Sequence, residues 1–482
     1  MKRLKRLVCL LMLLCMTAGI AHAEAMLLPQ INAWKLDEKP LRITLSVDVS
    51  QWIPFDETRT GWLNALLKHI TLEVNTQKLE EERWSSLRLL VDGNEALNMR
   101  QKQTGTETQM LLSSMPDKCY VAGTESDALS LLLGEKDESV FGMDESTLSY
   151  LTDAYDLACG LNVALSDWGE EKTIKTAIEK MGTARKKTTY VVPREDAPKL
   201  PEALGGLCVE GRVQTLVKSL IFSGKQTFTT YFSGDDELLK VTYSGQCGAS
   251  EEQLRNVSIT WSMKRSDNEI RDTFQLKSPA LKGSDRNTVT LTRVEKVKNS
   301  TTTLTLTAKH EQVQNKVKNI LAVDCDLKAV QKNGATTLTG TLSVKNTPED
   351  EDLKEQLMLT PNLTLAGTDA TDDYVSGTVE VEQRAGSRLN RVTAKATVNV
   401  KVAAGEYFDW MLSENVVNLS ALGEKELADV RKEVADAVGT DLIRPLVLLP
   451  KDDTLYLSAD MDEATWQKVV DTAQAALKED AR

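Results

Sequence analysis

The sequence predicts an α+β fold: a large antiparallel β-sheet, laid down as a long meander able to curve into a half-barrel, with amphipathic helices packed on it. Three observations carry this. Apolar and polar residues alternate through most of 225–403, the period-two signature of a strand with one buried and one wet face. No helical crossover interrupts that stretch, so its strands are not parallel neighbours. Apolar stripes at helical spacing precede and follow it.

The chain opens with an export signal. Lys2, Arg3, Lys5 and Arg6 form a positive cluster, Leu7 to Met16 is apolar, and Ala21-His22-Ala23 has small residues where a signal peptidase cuts, so residues 1–23 read as a cleavable signal peptide. The apolar run is too short to span a bilayer, and no later run reaches 18 residues. Cys9 and Cys15 follow Val8 and Leu14, bulky neighbours unsuited to lipid attachment. The expected location is therefore secreted or periplasmic, with no transmembrane span in the mature chain.

Residues 24–193 read as an N-terminal β and then helical region. Ile43, Leu45, Val47 and Val49 alternate as a strand; Trp62, Leu63, Leu66, Leu67 and Ile70 fall at helical spacing; residues 85–122 hold three or four strands with Asp92-Gly93 as a hairpin turn. Leu148, Leu151, Tyr155 and Ala158 suggest one helix. Ile174, Ile178 and Met181 suggest another, closed by Gly182. Thr188 to Val192 is a strand ending at Pro193, and the proline-bearing stretch up to Pro201 marks a boundary.

Residues 194–482 read as the long antiparallel sheet with flanking and C-terminal helices. A helix near Val213, Leu216, Val217 and Leu220 stops by Gly224, and nine or ten strands follow. The clearest is Val392, Ala394, Ala396, Val398, Val400 and Val402, alternating with polar residues. Ser233-Gly234-Asp235 and Lys332-Asn333-Gly334 mark turns. Two apolar stripes end the chain: Leu427, Val430, Val434 and Val438, then Trp466, Val469, Val470, Ala473 and Leu477.

Charge narrows the partners. The full chain has 58 Lys and Arg against 71 Asp and Glu; without the four basic residues of the signal it has 54 against 71, a net charge of −17. Such a surface repels phosphate backbones, so no nucleic-acid partner is expected. A lipid or a protein of the cell envelope is the expected partner. Of five remaining cysteines, Cys325 lies on an apolar strand face as a core thiol, and Cys119, Cys159, Cys208 and Cys247 can form up to two bridges after export.

The chemistry-bearing residues are sparse. After cleavage only His69 and His310 remain, each expected to be an ordinary surface or boundary histidine. Cys119 is the least buried-looking thiol. Asp235-Asp236-Glu237, Glu349-Asp350-Glu351-Asp352 and Asp372-Asp373 are acidic runs without the offsets of a calcium loop. No nucleophile elbow, zinc-helix motif or phosphate loop is present. No catalytic residue, metal ligand or cofactor is assigned. The leading reading is an exported, non-enzymatic envelope protein binding an apolar or lipid-like ligand on a curved sheet. The alternatives are a cell-surface structural, interaction or sensor module and an extracytoplasmic hydrolase using carboxylates.

Overall fold

The computed structural model describes residues 40–52, 56–79, 82–104, 107–123, 132, 158–207, 212–281, 283–349, 353–366, 373–386, 389, 391–408, 415–459 and 461–480. The signal at 1–23, most of the helix expected around Leu148–Tyr155, Cys208, and the acidic residues Asp350–Asp352 and Asp372 lie outside the described residues.

The described residues hold twenty strands in one sheet. The N-terminal strands are β1 (Leu41–Trp52), β2 (Ile70–Leu79), β3 (Glu82–Val91), β4 (Asn94–Thr104), β5 (Glu107–Leu112) and β6 (Met115–Ala122). Next come β7 (Gly169–Ile178), β8 (Gly182–Val192), β9 (Ile221–Phe232), β10 (Leu238–Gly248), β11 (Arg255–Ser266), β12 (Glu269–Pro279) and β13 (Arg286–Lys298). The series ends with β14 (Thr301–Gln314), β15 (Val317–Lys332), β16 (Ala335–Thr347), β17 (Glu355–Leu365), β18 (Asp373–Ala385), β19 (Val392–Ala404) and β20 (Asn415–Asn418). From β7 to β19 each strand pairs antiparallel with the next. β19 then pairs with β1, which pairs with β2, and β2 to β6 form a second meander. β20 adds to β6 in parallel. Among the described residues β7 and β20 each have a single partner, so the sheet is open.

The helices are α1 (Glu57–Leu67), α2 (Leu200–Gly205), α3 (Arg212–Ser219), α4 (Glu424–Leu446), α5 (Leu455–Ser458) and α6 (Glu463–Asp480); residues 158–164 are also helical. α1 starts where the Asp56 carboxylate accepts a hydrogen bond from the Arg59 amide at 2.8 Å, a side-chain cap for an otherwise unpaired donor. Its Asn64 is fastened to β1, donating to the Val49 carbonyl (2.6 Å) and accepting from the Val49 amide (2.8 Å). That amide bond lies where the β1–β19 register slips between Val49 and Gln51. No described helix is long and apolar enough to cross a membrane.

Two expectations are corrected. Ile174, Ile178 and Met181 do not form a helix: Ile174 and Ile178 lie in β7, Met181 in the turn, and Gly182 opens β8 with φ +138°. A spacing of four residues keeps one face of a helix, but it also keeps one face of a strand. The helix near Val213 ends at Ser219, and Gly224 (φ +71°) lies inside β9 instead of stopping it. β9 therefore begins at Ile221, and eleven strands, β9 to β19, occupy the stretch where nine or ten are expected. The turn signals hold: Asp92-Gly93 (φ +48° and +79°) and Asn333-Gly334 (φ +52° and +82°) take the left-handed conformations of tight hairpins.

Directly paired residues share a face, so the register traces one apolar surface across the sheet. It runs through Leu45, Val400, Gly377 and Leu363, and through Leu338, Ala329 and Thr302. Two glycines lie in this fabric at φ values closed to other residues: a Cβ on Gly340 (φ +140°) would lie 2.0 Å from the Asp326 carbonyl oxygen, and one on Gly377 (φ +145°) 2.2 Å from that of Asn362. Nearby, Pro361 has no N–H, and the β16–β17 pairs pass from Thr339↔Asn362 to Leu342↔Leu359 without a partner for it. By contrast a Cβ on Gly439, inside α4, would meet no atom within 4 Å. Gly439→Ala is therefore expected to stabilise the fold by about 1 kcal/mol, and Gly340→Ala to destabilise it by at least ~2 kcal/mol. Urea unfolding midpoints check both.

Candidate functional site

The apolar face is unevenly covered. At one end Tyr190, Phe228, Val241, Tyr243, Trp261 and Met263 form a buried cluster with Leu161, Leu165, Leu200, Leu204 and Val217 from helical and turn segments. At the other, Met110, Leu112, Tyr120 and Leu419 cluster with Leu427, Val430, Val434 and Val438 of α4 packed against them. In the β1/β17–β19 region Leu45 is 2% and Val398 1% exposed. Between these regions, on β13 to β16, Leu291, Leu304, Leu306, Val323 and Leu342 are only half-buried, and Leu321 is 44% exposed. In register, Leu306 faces Cys325 and Cys325 faces Leu342, with Leu304–Leu327 and Ala308–Val323 beside them. Isolated exposed apolar residues are ordinary, but a contiguous patch marks a contact surface.

A charged seam lies along one side of this patch, on the same face. Asp272 (5% exposed) accepts from Trp261 Nε1 at 3.1 Å and from Arg265 at 2.7 Å. Arg293, directly across from Asp272, donates to Glu295 at 2.8 Å. Glu295 is 1% exposed, and its second oxygen has no hydrogen-bond partner among the described residues. Buried acids in an apolar face persist only where they are paired. On the opposite face Lys264, Arg271 and Lys296 surround Glu269, and the bond from Lys264 leads in holding its carboxyl down at about 2.

Asp236 and Glu237 line a hollow of about 330 Å3 beside Cys159, Phe232 and Arg265. His310 is an exposed residue of β14. Cys119 is buried, and burial pushes its thiol up, which removes it as a ready nucleophile. Cys247 and Cys325 are free thiols, both pushed up by burial, Cys325 to about 11. Among the described residues no three His, Cys, Asp or Glu side chains converge as a metal site.

His69 is the residue that sequence reasoning undervalued. It follows α1, with Nδ1 2.6 Å from Asp92 Oδ1 and Nε2 3.0 Å from Asp453 Oδ2. Lys68 donates to the other Asp453 oxygen at 2.7 Å, and the Asp92 amide donates to the His69 carbonyl at 2.9 Å. Two carboxylates require both ring nitrogens to donate, which is the imidazolium form. This clasp ties the β3–β4 turn and residues 451–453 to the end of α1, beside a cluster of Leu66, Val91, Ala96 and Leu449. With both nitrogens engaged, His69 is a fastener and not a free base.

No family model matches the chain, and no curated protein matches it by sequence. Solved structures similar to it include the outer-membrane expressed OmpT of Vibrio cholerae, at TM-score 0.26 and 7% identity, covering 76% of this chain and 95% of that one. Another is the outer membrane channel DcaP of Acinetobacter baumannii, at TM-score 0.28 and 5% identity, covering 76% and 96%. At these scores the likeness carries no argument about this chain.

The hydrogen bond to Asp92, with that to Asp453, raises the His69 pKa above 6.5. Its stabilising contribution is therefore complete below pH 6.5 and is lost as pH rises through the raised value. Asp453, lowered from 3.8 first by Lys68 and then by His69, contributes above pH 3.8 and loses its part as pH falls through its lowered value. Melting temperatures across the neutral to alkaline range are expected to fall along the alkaline limb, and His69→Gln to flatten that limb.

Proposed function

We propose that this chain is an exported, non-enzymatic envelope protein that holds an apolar, lipid-like ligand on the open part of its sheet. The carrying observation is the patch of Leu291, Leu304, Leu306, Leu321, Val323 and Leu342. It is continuous with the buried core on either side in sheet order, yet half-open to solvent. Leaving that area uncovered costs roughly 25 cal/mol for each Å2 of apolar surface in water, so an apolar ligand laid along it gains what the core gains elsewhere. The signal peptide read at residues 1–23 supports the extracytoplasmic setting. Among the described residues the helices and turns cluster with the sheet at its two ends, which suits a ligand long enough to lie along the patch between them.

The seam of Asp272, Arg265, Arg293 and Glu295 gives such a ligand a polar stop at one side. The sheet edge is a less suitable docking surface for a protein strand: β7 carries Glu170, Glu171, Lys172 and Lys175, all exposed, the charges by which edge strands resist pairing.

Native mass spectrometry of the gently purified protein is expected to show a co-purifying lipid, and N-phenylnaphthylamine is expected to fluoresce on binding the lipid-free protein. Leu306→Asn with Val323→Asn should weaken probe binding at least tenfold with little change in melting temperature. Absence of both co-purified lipid and probe binding would overturn the proposal.

A further inference from the structure

The opposite, polar face of the sheet holds a second concavity, of about 720 Å3, at one rim of strands β9 to β13. The register explains what lines it. Thr227, Ser244, Ser258, Lys277 and Thr288 are consecutive cross-strand partners and make one row of hydroxyls with a lysine in it. Arg286, two residues before Thr288, closes the lining on β13, and Lys225, two residues before Thr227, joins it from the irregular stretch of β9 where the pairing with β10 slips.

The backbone that presents Lys225 is specially built. On β10 two steps separate Ser244 from Gln246, but on β9 their partners Thr227 and Ser223 are four apart. The two extra residues form a bulge, a device that re-aims a side chain. Gly224 supplies the positive φ of +71°. Gln226 is wholly buried beneath, donating to the carbonyls of Ser223 (2.6 Å), Gly224 (3.0 Å) and Gln246 (3.3 Å) and accepting from the Tyr243 hydroxyl (2.8 Å). A Cβ on Gly245 would lie 1.8 Å from the Gln226 oxygen. Gly224, Gln226, Tyr243 and Gly245 are thus committed together to one local shape, and its product is Lys225 turned into the concavity.

The electrostatics run against the rest of the molecule. The chain carries a formal net charge of −13, yet the lining contains Lys225, Lys277 and Arg286 and no Asp or Glu. Lys225 and Lys277 make no ion pair among the described residues. Arg286 has Glu311 at 3.7 Å, an acid that Lys318 (3.1 Å) and Lys309 (3.3 Å) already share. Three cations framing a row of hydroxyl donors match an oxyanion, whose oxygens accept from both.

The geometry points to a phosphate-ester site in this concavity, with Lys225, Lys277 and Arg286 as its charge partners and the Thr227–Ser244–Ser258–Thr288 row as its hydroxyl donors. The volume exceeds bare phosphate and fits a ligand of ordinary small-molecule size, and no aromatic side chain lines it, so the body attached to the phosphate is polar, of sugar size. The site faces away from the apolar patch and stands independently of the reading given to that patch.

Isothermal titration of the full mature chain at low salt tests this with inorganic phosphate, glucose 6-phosphate and glucose. Glucose 6-phosphate is expected to bind at one site, phosphate more weakly and glucose not at all, with affinity falling as salt screens the cations. Lys225→Ala with Lys277→Ala should weaken binding at least tenfold at unchanged melting temperature, and Lys225→Arg with Lys277→Arg should retain it. Vesicles of phosphatidylglycerol against phosphatidylcholine distinguish a lipid source: binding to the former alone, lost in the double alanine variant, supports a phosphate site that reads a lipid headgroup. No binding in any arm, or binding that the double alanine variant leaves intact, overturns the assignment.

Discussion

The pairing of β1 with β19 is the constraint on which the rest of the sheet depends. Leu41 lies opposite Ala404 and Trp52 opposite Ala394, so the chain's first described strand is hydrogen-bonded along its length to its last long one. The other edge of β1 pairs with β2. Without this splice there would be two meanders with two more open edges, each a row of unmet backbone donors and acceptors. With it, Leu45 and Val398 become nearly inaccessible, and one apolar surface passes from the N-terminal meander into the long one. The contact joins residues far apart in sequence, so its loop-closure entropy is met late, once the local hairpins exist to reward it.

How much of this was legible in the sequence depends on the range of the information. Alternation is local, and it identified β1, the 85–122 strands and the long meander, because period-two burial is written into each strand separately. The turn at Asp92-Gly93 was legible because only a few residues accept both left-handed conformations. The β7 segment is misleading for a physical reason: among the described residues it is an edge strand with a single partner and little burial on either face, so no alternation disciplines its residues. The spacing of Ile174, Ile178 and Met181 was then free to imitate a helix.

The sites were hardly legible, because each is a product of register. Nothing near His69 in sequence names Asp453, and nothing near Gln226 names Gly245. The clasp exists because α1 returns beside the β3–β4 turn and the 451–453 segment meets both. The bulge exists because β9 spends two residues that β10 does not match. A lone histidine and a glutamine in a strand are bland in a sequence. Each becomes informative only when its partners are found to be buried, paired and sterically exclusive of alternatives.

The two-sidedness of the sheet has a further consequence for how its surfaces relate. Alternation sends Leu291 to one face and Thr288, Thr290 and Thr292 to the other, so the strand that contributes to the apolar patch also contributes to the polar concavity. The seam of Asp272, Arg265, Arg293 and Glu295 lies on the apolar side of these strands, while Glu269, with Lys264, Arg271 and Lys296, lies directly across on the polar side. Strands β11 to β13 are thus pinned by ion pairs on both faces at their hairpin ends near Ser266 and Glu269, and the concavity lies at their opposite ends near Ser258 and Lys277. With those acids held at one end, Lys225 and Lys277 at the other make no ion pair among the described residues, and Arg286 has only the shared Glu311. The acids of β12 and β13 thus lie toward one end of these strands and the cations of the concavity toward the other.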